Sequence, residues 1–136
     1  MSNQLAVLFP GIGYHIDKPL LYYSAKLARA RGYDLLAVQY PALPTGLRGH
    51  AEKIEQAVQT ALSAAEEQLT AIDWTAYDRV FFLSKSIGTA IAARYAVQHN
   101  IHPRQVYYTP IEQALPYLDP TGIAFHAPPI RGRTPR

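Results

Sequence analysis

Val80-Phe81-Phe82-Leu83-Ser84-Lys85-Ser86-Ile87-Gly88 joins a short apolar run to a stretch of small and apolar residues. The run Val80 to Leu83 is too short for a helix and is made of residues that suit a buried strand. Thr89 to Gln98, dominated by Ala, Ile, Val and Tyr, reads as a buried helix. A serine therefore stands on a sharp turn from strand to helix. Such a turn lifts the Ser86 hydroxyl above the sheet and sets it at the positive N-terminal end of a helix, where an alkoxide or oxyanion is stabilised. Gly88 suits the crowding where helix and strand pack closely. The plainer reading makes Ser84 and Ser86 simple helix caps.

In this context the five residues Ser84 to Gly88 resemble the Gly-x-Ser-x-Gly nucleophile elbow of the α/β-hydrolase family, with Ser84 at the position of the first glycine. Serine is among the smallest side chains that a position where side chains collide can tolerate. The resemblance covers residues 4 to 126. It implies a small, lidless serine hydrolase acting on an ester or related acyl substrate through an acyl-serine intermediate, with Ser86 as nucleophile.

Leu5 to Phe9 is a continuous apolar run, a strand buried on both faces, and it ends in Pro10-Gly11-Ile12-Gly13. Two glycines flanking one residue at a strand end let the backbone approach a ligand and present its N–H groups. In the family this loop, often His-Gly-x-Gly, supplies one donor of the oxyanion hole. By the resemblance Pro10 replaces the His, Gly11 matches the Gly, the Ile12 N–H is one donor and the Ile87 N–H is the other. The rival reading of the loop, a dinucleotide-binding turn, needs Gly-x-Gly-x-x-Gly opening directly into a helix. Ile16 stands where the third glycine belongs, and the Walker phosphate loop is absent. His15, just beyond the loop, is a candidate substrate contact.

Asp17 is a candidate N-cap for a helix with Pro19 in its first turn, Tyr23, Leu27 and Ala30 along one face, and a stop at Gly32. Asp34 to Tyr40 reads as a second strand. His50 to Ile72 carries Ile54, Val58, Ala61, Ala65 and Leu69 on one stripe and polar residues opposite, the pattern of a long amphipathic helix. Gln105 to Thr109 and Thr121 to His126 complete the strands, separated by a short helix between Pro110 and Pro116. Strands alternating with helices imply parallel pairing and helices on both faces. The expected fold class is α/β: a three-layer α/β/α sandwich with a mostly parallel sheet of about five strands, lacking the last strand of an α/β-hydrolase.

The chain has 136 residues, an apolar fraction of 49% and no cysteine, which fits one domain with a real core and excludes disulfides, thiol nucleophiles and cysteine-ligated zinc. Its net charge of +3 lies in the tail: without Arg131, Arg133 and Arg136, ten basic residues face ten acidic ones. A nucleic-acid partner is therefore not expected, since it would want a basic face on the folded domain. No apolar run approaches the roughly 20 residues of a membrane span, and the N-terminus lacks a signal-peptide pattern. A cytoplasmic chain without cofactor or metal is expected.

A serine hydrolase needs a base for its serine and an acid to orient that base, and in the family both follow the elbow along the chain. The strand ending at His126 resembles the one that precedes the acid, yet residues 127 to 136 hold neither carboxylate nor histidine. His126 and His15 are the histidines that could face the site, whereas His50, His99 and His102 read as solvated. Lys85 reads as a surface lysine, and Asp119 sits at the wrong end of the last strand. Tyr22, Tyr23, Tyr107 and Tyr108 read as core-edge residues. Residues 1–126 form the expected domain and residues 127–136 a disordered Pro/Arg-rich tail. That tail is expected to be a shifted reading frame of a longer hydrolase gene, which would leave the triad incomplete and the sheet with an unpaired edge open to self-association. The alternative to a hydrolase is a non-catalytic α/β module that binds a nucleotide or a protein.

Overall fold

The computed structural model describes residues 3–11, 19–44, 46, 47 and 49–126. The expected N-cap Asp17 and the tail 127–136 lie outside the described residues. Five parallel strands form one sheet in the order β2-β1-β3-β4-β5. They are β1 (Gln4–Phe9), β2 (Asp34–Ala37), β3 (Arg79–Lys85), β4 (Arg104–Tyr108) and β5 (Ile123–Phe125). The helices are α1 (Pro19–Ala30), α2 (Ala51–Leu69) and α3 (Ile87–Gln98), with short 3-10 segments at Trp74–Ala76 and Glu112–Tyr117. The result is the expected three-layer α/β/α arrangement. Among the described residues no helix is long and apolar enough to cross a membrane.

Alternation along the strands divides the core in two. Leu5, Val7 and Phe9 of β1 and Phe82 of β3 point toward α2 and α3, where Val58, Ala61, Ala65 and Leu69 meet Ile91 and Tyr95. Phe9, Phe82, Trp74 and Tyr95 pack ring against ring there, with centroids 4.9 to 6.2 Å apart. Ala6, Leu8, Phe81 and Leu83 point the other way, toward α1. Every residue of Leu5 to Phe9 is buried, as a strand covered on both faces requires.

Helix α2 buries Val58, Ala61, Ala65 and Leu69 of the expected stripe and leaves Ile54 partly buried, and it runs Ala51–Leu69 rather than from His50 to Ile72. Helix α1 does not dock as expected. Tyr23 and Leu27 are exposed, as is Ala30, and the helix rests on Leu21, Ala25 and Ala28. Two alanines let the helix axis sit close to the sheet, which the bulkier Tyr23 and Leu27 would hold off. β2 ends at Ala37, short of Tyr40, while the Val38 N–H still donates to the Leu8 carbonyl at 2.9 Å.

Helix α3 is clamped at both ends. At its start, a Cβ on Gly88 would lie 2.0 Å from the Phe9 carbonyl oxygen and 2.7 Å from that of Pro10. Toward its end, Arg94 makes a two-pronged ion pair with Glu55 of α2, at 2.6 and 2.7 Å. The same guanidinium donates to the Gln113 carbonyl and covers the Tyr117 ring. Hydrogen bonds from Arg94 hold the Glu55 carboxyl below the usual carboxylate range.

Gly88→Ala is expected to cost about 3 kcal/mol or more, because backbone rather than a flexible side chain must give way, and Gly88→Val should not fold. Thermal melting is the check, and an unchanged midpoint for Gly88→Ala would disprove the contact with β1. A group whose pKa is depressed on folding contributes stability above its unfolded pKa and loses it as pH falls through the folded value. The melting-temperature difference between the parent and Glu55→Gln should therefore be present at neutral pH and shrink as pH falls below about 4.3. A difference that stays constant down to pH 3 would exclude the ion pair as its source.

Candidate active site

The strand order places a crevice at one point on the sheet. From β1 the chain moves outward to β2, and from β3 it moves outward the other way. Ligands bind beyond the carboxyl ends of the strands where that direction reverses. β1 reaches the crevice through Pro10 and the buried Gly11, and β3 reaches it through Lys85 and Ser86.

Ser86 has φ 54 and ψ −122, a conformation that suits glycine and costs a serine about 1–3 kcal/mol. Its peptide is held from both sides. The Ser86 N–H donates to the Tyr108 carbonyl at 2.9 Å. The Ser86 carbonyl accepts from the Thr89 N–H at 2.9 Å and the Thr89 hydroxyl at 2.6 Å. Thr89 is fully buried, and its Oγ1 also accepts the Ile111 N–H at 3.3 Å. The Ser86 side chain makes no cap hydrogen bond, so the plainer reading as a helix cap does not hold. The hydroxyl is half-buried and left unused by the helix.

Ile87 is buried and opens α3, so its N–H has no carbonyl one turn back and lies at the positive end of the helix dipole. Ser84 is fully buried, and its hydroxyl donates to the Val106 carbonyl at 3.3 Å. That bond satisfies the polar atom which distinguishes this turn from one with glycine there. Ile12, Gly13 and His15 lie outside the described residues.

Lys85 departs from its reading as a surface lysine. It is half-buried, its ammonium donates to Thr109 Oγ1 at 2.8 Å, and burial holds its pKa below the usual lysine value. Thr109 in turn has φ 47, donates its hydroxyl to the Tyr108 carbonyl at 2.8 Å and its N–H to the Phe125 carbonyl at 2.6 Å. Lys85 thus ties the end of β3 to the exit of β4. The signal was present in the alternation Phe81, Leu83, Lys85, which puts all three on one face.

The described histidines are engaged elsewhere or exposed. His99 stacks on Tyr95 and contacts Glu66 at 3.1 Å, while His50, His102 and His126 are exposed. Asp119 lies at the start of β5, away from the elbow, and accepts from the Thr121 N–H and hydroxyl, which hold its pKa down. Among the described residues no histidine or carboxylate is hydrogen-bonded to Ser86. The four tyrosines divide: Tyr107 is buried with its hydroxyl accepting the Asp119 N–H, Tyr108 is half-buried, and Tyr22 and Tyr23 are exposed.

No protein-family model matches the sequence, and no curated protein matches it either. A solved structure does match, that of a candidate hydrolase of the alpha/beta superfamily from Xanthomonas campestris pv. campestris. The two share 19% identity with a TM-score of 0.57, over 93% of this chain and 66% of that one. At that identity the likeness is one of fold alone, and this chain spans 66% of the length of that one.

Proposed function

We propose that this protein is a serine hydrolase of the α/β-hydrolase type, cleaving an ester or related acyl compound through an acyl-Ser86 intermediate. The backbone of Ser86 carries the reading: a non-glycine residue bent to φ 54 at the start of a helix that makes no use of its hydroxyl. Strain of this kind persists where the surrounding structure over-determines it, and it clusters at reactive sites.

In the proposed reaction Ser86 Oγ attacks the acyl carbon and the carbonyl oxygen becomes an oxyanion. The Ile87 N–H receives that charge at the positive end of α3 and, by the resemblance, the Ile12 N–H joins it. The bond to the leaving alcohol then breaks, and the alcohol takes up the proton that Ser86 gave. Water attacks the acyl-serine, releases the acid and returns a proton to Ser86. Gly11 and Gly13 bring the loop backbone close to the substrate, and His15 contacts it. With no base on Ser86 among the described residues, turnover is slow, limited to what backbone donors and binding supply. The reading needs no cofactor, metal, nucleic acid or membrane; a cytoplasmic location and self-association through the β5 edge are further parts of the proposal.

A non-catalytic module that binds a nucleotide or protein in the same crevice is the second reading. It gives the strained turn and the Ser86 hydroxyl, which caps nothing, no chemical role.

A fluorophosphonate probe is expected to label Ser86 in the intact protein and to leave Ser86→Ala unlabelled. Failure to label the parent at excess probe would favour the binding module. Hydrolysis of a p-nitrophenyl ester should fall to background in Ser86→Ala, and full turnover in that variant would remove Ser86 from the mechanism. Ser86→Gly should be equally inactive but more stable than Ser86→Ala by about 1 kcal/mol, because glycine adopts φ 54 freely. Equal melting temperatures for the two would show that residue 86 is unstrained.

A further inference from the structure

The two faces of the sheet are covered unequally. Behind α2 and α3 the core is closed, whereas on the face of α1 the side chains of Phe81, Leu83, Val106 and Tyr108 floor an open groove of about 840 Å³. Leu27 of α1, 56% exposed, forms one wall. Parallel strands are ordinarily covered on both faces. Among the described residues α1 is the helix on this face, and it rests on β1, β2 and β3. The bare surface continues onto β5, where Ile123 and Phe125 are exposed.

Charge collects at one end. Arg31, Arg79 and Arg104 line the groove where the strands begin, against one carboxylate, Asp78. The ion pairs among the described residues are Arg94 with Glu55 and His99 with Glu66, so these three guanidinium groups have no carboxylate partner there. An occupant of this groove must offer apolar side chains to the floor and negative charge to that end.

Charge also separates the possible occupants. The tail 127–136 brings Arg131, Arg133 and Arg136 and no carboxylate. On the long helices of a second copy the exposed large apolar side chains are Leu20, Tyr22, Tyr23 and Leu27 of α1, which also carries Lys26 and Arg29, and Val97 alone near the end of α3. The acid-rich helix of a second copy, α2, has its apolar stripe buried in its own core. Like charge therefore opposes the tail and α1 of a second copy as occupants.

We propose that the groove docks an amphipathic α-helix of a separate polypeptide, with apolar residues at i, i+3, i+4 and i+7 and with Asp or Glu at the end that meets Arg31, Arg79 and Arg104. The seven residues of β3 span roughly 23 Å, which a helix of about 15 residues matches.

The test places a photo-reactive benzoylphenylalanine at position 27, an exposed site where the fold tolerates change, and sequences the peptide crosslinked to it in the producing cells. The crosslinked segment is then synthesised, along with a version whose acidic residues are changed to Lys, and binding to the purified protein is followed by fluorescence anisotropy. A foreign segment of the stated pattern is expected. It should bind saturably and weaken at least tenfold with the Lys version, with Leu27→Asp, and with Arg79→Glu combined with Arg104→Glu, while the melting temperatures of these variants stay at the parent value. Crosslinks to a second copy, to residues 127–136 or to no polypeptide would overturn the proposal. So would a segment whose affinity is indifferent to charge reversal.

Discussion

The contact between the Phe9 carbonyl and Gly88 sets the geometry of everything near it. With the Cα of Gly88 so close to the end of β1 that any side chain would meet the Phe9 oxygen at 2.0 Å, the first turn of α3 is pressed against the strand beside the one it leaves. The chain must then pass from β3 into α3 within a single residue, and that residue, Ser86, takes φ 54. The positive end of the α3 dipole comes to lie over the crevice between β1 and β3 as a consequence. The close packing that builds this half of the core and the geometry of the candidate site are the same constraint.

The strain is small against what imposes it. A residue at φ 54 costs about 1–3 kcal/mol. Helix α3 buries Ile87, Ala90, Ile91, Ala92, Ala93, Tyr95 and Ala96, and a single Ile91 fully removed from water contributes about 1.5–3 kcal/mol. The helix cannot shift to relieve Ser86 without opening that layer. Arg94 adds a lock against rotation, since its guanidinium is held at once by α2 and by the 3-10 segment Glu112–Tyr117. Glu55 is partly exposed, so the pair contributes more to the helix's bearing than to net stability.

Where sequence was enough, the reason is local. The run Leu5 to Phe9 has no polar residue to face solvent, which leaves burial on both faces as its only reading. The α2 stripe recurs at five positions over about four turns, and the strand, turn and helix around Ser86 are contiguous. Helix α1 was harder because it carries two apolar stripes. Periodicity cannot rank Tyr23 and Leu27 against Leu21, Ala25 and Ala28, and the closer approach permitted by the alanines decides it. Alternation along β3 already puts Lys85 on the face of Phe81 and Leu83, but its hydrogen bond to Thr109, 24 positions away, and the positive φ of that residue have no local signal. The site is legible to the extent that it is one turn of chain, and the partners of Ser86 are not legible because they depend on segments brought together only by the fold.

Tyr108 connects the open face of the sheet to the strained turn. Its ring lies in the groove, stacked on Phe125 at 5.4 Å and joined to the Ser24 hydroxyl at 3.0 Å. Its carbonyl accepts both the Ser86 N–H and the Thr109 hydroxyl that receives Lys85. β4 is held on both sides by parallel neighbours, which fixes the direction of the Tyr108 carbonyl and with it the hydrogen bond to Ser86. The exposed half of the sheet and the crevice at its end thus meet in one residue.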